Sequence, residues 1–452
     1  MRVFLAILIC KFSRFALRLL RRGGTTLPGE LALKICPDLL RRLSKNISSI
    51  VITGTNGKTT TARIVEEAFA QSGKPYFANR SGANLIAGIT AEYAINATLF
   101  GKAKRPNAVI ECDEGALGKV CEYINPDFIL VTNIFRDQMD RFGEISHTVQ
   151  SIKKGLKNSS KALICINADD PLSVSLTEGL ENSVIYYGLD VPLAQADGPE
   201  PPETMSCHHC QSPYEYVYRT YAHLGGWSCP DCGYIRPITF VSVTEILSLT
   251  GDAAVVSLRA GEESRTVAVN LPGAYNIYNA TGAVCLLLAS GFSMDEAVSA
   301  AENFNCGFGR MEKFSLGSAQ ARMILVKNAA GCNQVLSYLS TIEGGITLAI
   351  CLNDRLSDGT DVSWIWEVYF ELLTELDISS LFVSGIRAEE MALRLKYTSM
   401  DMTGVSILKD YDALINGLSE QNGTVIIIPT YSAMLELREK LAQRLGLGNF
   451  WE

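Results

Sequence analysis

Apolar and polar positions alternate along the 452-residue chain in short blocks whose lengths predict two successive α/β units. Between residues 50 and 188, β-type runs at Val51, Ala108–Cys112, Phe128–Thr132, Ala162–Ile166 and Val184–Tyr187 alternate with stretches of helical periodicity. That alternation predicts a parallel sheet covered by helices. Residues 194–203, rich in Pro, Asp and Gly, break the pattern and open an insertion. Ile238 to Val269 then reads as β-rich, and a helical region starts near Tyr275. A second alternating series has strands at Met323–Val326, Ile346–Leu352, Ser380–Val383, Val405–Leu408 and Thr424–Ile428, and its last helix runs from about Ser432 to Leu445. The expected division is a basic amphipathic helical segment (1–46), a central domain (47–313) with an insertion near 203–236, and a C-terminal Rossmann-like α/β domain (318–452).

The apolar run Val3–Ile9 follows a single charge, Arg2, and basic residues continue at helical spacing at Lys11, Arg14, Arg18, Arg21 and Arg22. A signal peptide would end its charges before the apolar run. The segment reads instead as a helix packed on the first domain, with an anionic lipid surface as the alternative. No stretch approaches the length of a membrane span.

Composition narrows the function classes. With 47% hydrophobic and 19% charged residues the chain can bury more than one core. A net charge of −8 excludes a general nucleic-acid binder, which needs a basic surplus to neutralise phosphates. Of the 13 cysteines, four form a metal-like cluster, and others such as Cys112, Cys165, Cys285 and Cys351 sit inside apolar runs. Reduced, buried thiols of this kind suit a cytoplasmic protein.

Candidate chemistry begins at Ile52-Thr53-Gly54-Thr55-Asn56-Gly57-Lys58-Thr59-Thr60, between an apolar run and a helical pattern. Glycines there let backbone N–H groups approach an anion, and the following helix N-terminus adds partial positive charge. Lys58 is placed to reach the outer phosphates of a nucleotide and Thr59 to reach its magnesium ion. The spacing is shorter than the usual G-x-x-x-x-G-K-[ST], because position 52 is Ile.

Cys207-x-x-Cys210 and Cys229-x-x-Cys232, eighteen residues apart, predict a zinc ribbon. Four thiolates close the shell and leave no position for a catalytic water, so this zinc is expected to be structural. His208, His209 and His223 are expected as exposed ribbon residues.

Three further strand ends carry polar clusters: Glu111-Cys112-Asp113-Glu114, Thr132-Asn133-Ile134-Phe135-Arg136-Asp137-Gln138-Met139-Asp140, and Asn167-Ala168-Asp169-Asp170-Pro171. Ligands gather beyond the carboxyl ends of parallel strands, so these loops should converge on Lys58, with Glu111 a suitable magnesium ligand. Together with G-x-Y-N-x-Y-N (Gly273 to Asn279) and G-R-M-E (Gly309 to Glu312), this series resembles the Mur ligase superfamily, which includes folylpolyglutamate synthase. The inserted ribbon and the segment Asn353–Trp366 narrow the resemblance to its MurT branch, the ligase subunits of lipid II isoglutaminyl synthases.

The resemblance implies an α/β Mur ligase-type fold and an ATP site formed by Gly54, Thr55, Asn56, Gly57, Lys58, Thr59 and Thr60. Asn276 and Asn279 would lie near adenine, Arg310 would touch nucleotide at the domain junction, and Asp169 and Asp170 would face the nucleotide. Thr59 and Glu111 would hold Mg2+, and Cys207, Cys210, Cys229 and Cys232 would hold Zn2+. The reaction implied is activation of the α-carboxylate of D-glutamate in the lipid II stem peptide as an acyl phosphate. Ammonia from a partner glutaminase of the GatD type would then amidate it at the inner face of the membrane, with peripheral membrane contact as a corollary. Departures are informative: peptide-adding members carry His where this chain has Gln138. They also carry a carbamylated lysine, for which Lys153 and Lys154 are alternatives to a solvated helix face. A His motif early in their third domain is replaced here by Lys327–Asn333.

The chain contains four histidines, three of them near the ribbon and one at His147. A glutaminase needs a nucleophile with an activating base, and this chain can hardly supply one. Asp361, just before the aromatic segment Trp364, Trp366, Tyr369 and Phe370, is either a helix cap above core tryptophans or an orienting carboxylate offered to a partner's Cys–His pair. The resemblance favours the second role, with Asp354 and Asp358 as alternatives. Two other functions remain open: an amino-acid-adding ligase of Mur or folylpolyglutamate type, and a nucleotide-binding scaffold without turnover.

Overall fold

A computed structural model describes residues 1–19, 26–80, 82–136, 145–193, 205–271, 273–304 and 310–446. Two large sheets organise the chain. The first has nine strands: β1 (Ser48–Thr53), β2 (Tyr76–Ala78), β3 (Asn107–Glu111), β4 (Phe128–Val131), β5 (Leu163–Asn167), β6 (Val184–Leu189), β9 (Val241–Leu249), β10 (Ala254–Ala260) and β11 (Glu263–Val269). Their order is β11-β10-β9-β6-β5-β4-β1-β3-β2. Pairing is parallel from β2 across to β9, and β9, β10 and β11 close the sheet as an antiparallel meander. The central strands are buried on both faces and so read as unbroken apolar runs, as Ile50-Val51-Ile52 does in β1.

β1 lies between β3 and β4, where successive connections leave to opposite sides, and this is where an open α/β sheet forms its ligand crevice. Helix Lys58–Gln71 follows β1 and packs inward through Thr61, Ile64, Val65 and Ala68, the i, i+3, i+4, i+7 stripe of a core-facing helix. Helix Tyr275–Ala289 runs beside it, buried almost throughout.

A hairpin of β7 (Glu215–Arg219) and β8 (Gly225–Ser228) forms the body of the cysteine module. The second large sheet contains β12 (Arg310–Leu316), β13 (Ala319–Ile324), β14 (Ile346–Cys351), β15 (Ile378–Ser384), β16 (Val405–Ile407) and β17 (Thr424–Pro429) in the order β12-β13-β17-β14-β15-β16. It is parallel except for β12, which pairs antiparallel with β13. The three-residue edge strand β2 and the strand β12 were not among the expected elements.

Among the described residues no helix is long and apolar enough to cross a membrane. The first helix, Arg2–Leu19, packs through Ala6, Ile7 and Cys10 against helices Thr26–Ile35 and Ile86–Asn96.

Candidate active site

The loop after β1 is shaped by backbone that only glycine adopts without strain. Gly54 has φ 119° and Gly57 φ 85°, and a β-carbon on Gly57 would stand 2.0 Å from Asn279 Oδ1. Asn133, just beyond β4, clamps the loop from the side. Its carbonyl accepts the Thr55 N–H at 2.9 Å, its Oδ1 accepts the Asn56 N–H at 2.9 Å, and its Nδ2 donates to the Asn56 carbonyl at 3.2 Å. Thr55 Oγ1 completes the join, donating to the Phe135 carbonyl and accepting the Phe135 N–H.

Lys58 is buried at the start of the helix. Its ammonium donates to the carbonyls of Gly54 and Thr55 and to Glu114 Oε2 at 2.9 Å. Burial alone would lower the Lys58 pKa, but the carboxylates of Glu114, Asp113 and Glu111 overcome it and hold the value above the ordinary lysine range. Burial likewise works to raise Glu114, and Lys58 and Lys327 reverse that and lower it. The pair is therefore ionised. Thr59 Oγ1 donates to Glu111 Oε2 at 2.6 Å, so a hydroxyl and a carboxylate from two elements already adjoin beside Lys58. Asn79 fixes Glu111 through both backbone groups, at 2.9 and 2.7 Å. Two adjoining oxygen donors next to the lysine-bearing turn fit a magnesium ion.

These groups open into a cavity of about 510 Å³ shared by the two sheets. Thr55, Asn56, Gly57, Lys58, Thr59, Thr60, Glu111, Asn276 and Asn279 line it from the first unit, and Lys327, Asn328, Leu356, Ser357 and Tyr431 from the second. Asn328 Nδ2 donates to Asn56 Oδ1 at 3.2 Å across the gap. Arg310 begins β12, and Gln138 lies outside the described residues. Lys327, Glu114 and Asn133 belong to the site although none was singled out as a binding residue. Their strand-end motifs were visible, but their convergence is set by tertiary structure.

Asp169 and Asp170 do not face the cavity, contrary to expectation. Asp170 caps the short helix Pro171–Ser175, accepts the Ile134 N–H at 2.7 Å and faces His223 Nε2 at 3.1 Å. Asp169 accepts from Arg236 Nε at 2.6 Å, from the Leu189 N–H at 2.8 Å and from Tyr278. Both are buried clamps that seat the cysteine module on the sheet. His223 is likewise fully buried rather than exposed, because this seating encloses it. Ile134 adjoins Asn133, so the seating of the module runs through Asp170 to the loop that clamps Thr55 and Asn56. Lys153 reaches the Ser175 carbonyl at 3.4 Å, and Lys154 pairs with Glu122 at 3.6 Å on the surface. Neither lines the cavity.

The four cysteine sulfurs lie within 4.8 Å of one another, with Cys207–Cys232 at 3.5 Å and Cys210–Cys229 at 3.4 Å. Zinc–sulfur bonds of about 2.3 Å in a tetrahedron place sulfurs about 3.8 Å apart, so the donor set fits a structural zinc. Trp227, fully buried beneath it, donates to the Ala168 carbonyl at 3.0 Å.

On the loop after β14, Asp361 Oδ1 accepts the Ser363 N–H at 2.8 Å at the start of a short 3₁₀ turn, Ser363–Glu367. Asp358 is buried on the Ser432 N–H and hydroxyl at 2.6 and 2.5 Å, and Asp354 faces Arg387 at 3.6 Å. Arg394 holds the aromatic segment from below, through the Ile365 and Val368 carbonyls and both oxygens of Glu371. Trp364 packs on the core, while Trp366 is exposed edge-on to Tyr397 at 5.3 Å.

Residues 52–200 match the Mur ligase middle domain and residues 325–434 the MurT ligase C-terminal family. The chain is 34% identical over 459 residues to the MurT subunit of lipid II isoglutaminyl synthase (glutamine-hydrolyzing) from Streptococcus pneumoniae, covering 98% of both chains. It belongs to the MurT family of Mur ligases. The Staphylococcus aureus MurT subunit is 33% identical over 442 residues, again with 98% of each chain covered. Among solved structures, MurF from Acinetobacter baumannii superposes with a TM-score of 0.67 at 17% identity, over 91% of this chain and 80% of that one. The Mur ligase family to which MurT belongs uses ATP and Mg2+.

Proposed function

We propose that this chain is the ATP-dependent ligase subunit of a lipid II isoglutaminyl synthase. The observation that carries the reading is the ionised Lys58–Glu114 pair beside the Thr59–Glu111 pair, at the mouth of a cavity closed by both sheets. It occurs in a chain that matches MurT subunits along nearly its whole length.

The loop Gly54–Thr60 would bind the nucleotide phosphates, and Lys58 would exchange a carbonyl or Glu114 for phosphate oxygens. Thr59 and Glu111 would hold Mg2+, which when bound supplies positive charge against the transferring phosphoryl group. Asn276 and Asn279 would contact the base, and Arg310 the nucleotide at the junction. A carboxylate oxygen of D-glutamate in the lipid II stem attacks the γ-phosphorus, and ADP leaves. Ammonia then attacks the acyl carbon of the resulting acyl phosphate, and phosphate departs with the original carboxyl oxygen. Lys327 and Asn328, which line the cavity from the second unit, would orient the carboxylate.

The relatives' name includes hydrolysis of glutamine, and among the described residues no Cys–His pair adjoins Asp361. A GatD-type glutaminase would supply both, with Asp361 orienting its histidine and Trp366 and Tyr397 forming part of the contact. The four cysteines would hold one structural Zn2+, and the reaction would run at the cytoplasmic face of the membrane, where the lipid-linked substrate is presented. Reconstitution tests this: chain, glutaminase, lipid II, glutamine and Mg-ATP should give a stem peptide with –NH2 in place of one –OH, as read by mass spectrometry. An added amino-acid residue would instead identify a peptide-adding ligase, and an unchanged peptide a scaffold.

A further inference from the structure

We infer that the outward face of the first helix, together with Phe100, docks this protein on an anionic lipid bilayer surface. The helix Arg2–Leu19 carries two apolar faces. One, with Ala6, Ile7 and Cys10, is buried in the protein. The other presents Phe4, Leu5, Leu8, Phe12, Phe15 and Leu19, all exposed, with Phe12 at 69%, Phe15 at 66% and Leu19 at 75%. At about 100° of rotation per residue these six fall within an arc of about 100°, away from the buried face. A helix on the surface of a soluble domain turns polar side chains to water there. A second element extends the patch: in the turn after helix Ile86–Asn96, Phe100 is 88% exposed, with its ring 6.0 Å from that of Phe4. Among the described residues nothing covers either group.

Charge identifies the occupant. Residues 1–29 contain Arg2, Lys11, Arg14, Arg18, Arg21 and Arg22 and no acidic residue, in a chain whose net charge is −8. Exposed Arg18 borders the apolar stripe and exposed Lys102 and Lys104 flank Phe100, whereas Lys11 and Arg14 are turned to the Ala97 carbonyl and Glu92. An apolar stripe rimmed by cations lies in the interface plane of an anionic bilayer, its rings below the headgroups and its cations among them. The helix does not span, because Lys11 and Arg14 interrupt it and no described helix qualifies as a membrane span. Pairing with a second copy of the chain would bring two basic rims together, which costs energy where a lipid surface gains it. This inference does not depend on the proposed reaction.

The test is flotation of the full chain with phosphatidylglycerol-containing vesicles and with pure phosphatidylcholine vesicles. Wild type should float with the anionic vesicles and release as salt is raised. The variant Phe12→Ser/Phe15→Ser/Phe100→Ser should lose partitioning on the order of a hundredfold while its melting temperature and nucleotide binding stay those of wild type. Three outcomes overturn the proposal: no flotation with anionic vesicles, equal flotation of the variant, or a concentration-dependent dimer that the variant dissolves without any vesicle binding.

Discussion

The loop after β1 and the loop after β14 each leave the carboxyl end of a parallel strand and meet at one cavity, yet they treat their polar residues in opposite ways. In the first, Asn133, Asn79 and Glu114 come from three other elements to hold Thr55, Asn56, Glu111 and Lys58 in place. The Lys58–Glu114 pair is ionised, and these groups line the cavity from within the chain. In the second, the acids fasten the loop itself: Asp358 to Ser432, Asp354 to Arg387 and Asp361 to the Ser363 amide. Asp358 is buried, whereas Asp354 and Asp361 are half-buried, and Asp354 is taken up by Arg387. Under the proposed function, the first loop would work with groups of this chain, and the second would be completed by a second protein.

The sharpest way to break this contrast is Asp361→Asn. Glutamine-dependent amidation should fall by roughly 10⁴-fold, the scale seen when an orienting carboxylate of a catalytic triad is neutralised, while ATP binding and amidation with added ammonium persist. Equal loss with both nitrogen sources would place Asp361 in the ligase site instead. Lys58→Met should lower ATP consumption about 10²- to 10³-fold with either nitrogen source, the loss of one preorganised charge on the phosphoryl group. Gly57→Ala puts a side chain at φ 85° and against Asn279. The KM for ATP should rise about tenfold, and the melting temperature should fall by a few degrees.

Weakening the cysteine module asks whether the first loop is as self-contained as it looks. Cys229→Ser, or removal of zinc by chelation, should lower the melting temperature by about 10 °C. It should also raise the KM for ATP slightly, through His223, Asp170 and the Asn133 clamp. A drop in stability with no change in KM would confine the module to a structural role. The smallest effect concerns pH. The lowered Glu114 contributes stability above the ordinary value of 4.5 that is lost as pH falls through its folded value. The raised Lys58 contributes below 10.5 and loses it as pH rises through its folded value. Glu114→Gln should therefore melt below wild type throughout the neutral range, and thermal melts should show that gap narrowing under acid conditions.

The turn at residues 54–60 is legible in the sequence because its shape is local: two glycines, a lysine and a threonine between one strand and one helix dictate it. The cysteine module was legible for the same reason. The strands β1, β3, β4, β5 and β6 were legible because burial on both faces leaves them continuous apolar runs. β2 was missed because three residues at a sheet edge carry no pattern, and β12 because its Arg310-Met311-Glu312 start reads as a motif rather than a strand. Asp169 and Asp170 show a deeper limit. A carboxylate at a strand end looks alike whether it faces a ligand or clamps an insertion, and only the docking of Arg236, Tyr278 and His223 decides. The periodicity of the first helix is ambiguous between packing and lipid contact because the helix carries two apolar faces.

The central claim is that the turn at Lys58 directs a phosphoryl group onto a carboxylate. It is tested most directly by following ¹⁸O from the labelled D-glutamate carboxylate of lipid II during amidation with Mg-ATP. The account predicts one labelled oxygen in the inorganic phosphate for each amide formed, and release of that labelled phosphate about 10²- to 10³-fold slower with Lys58→Met. Amide formation with unlabelled phosphate would contradict it.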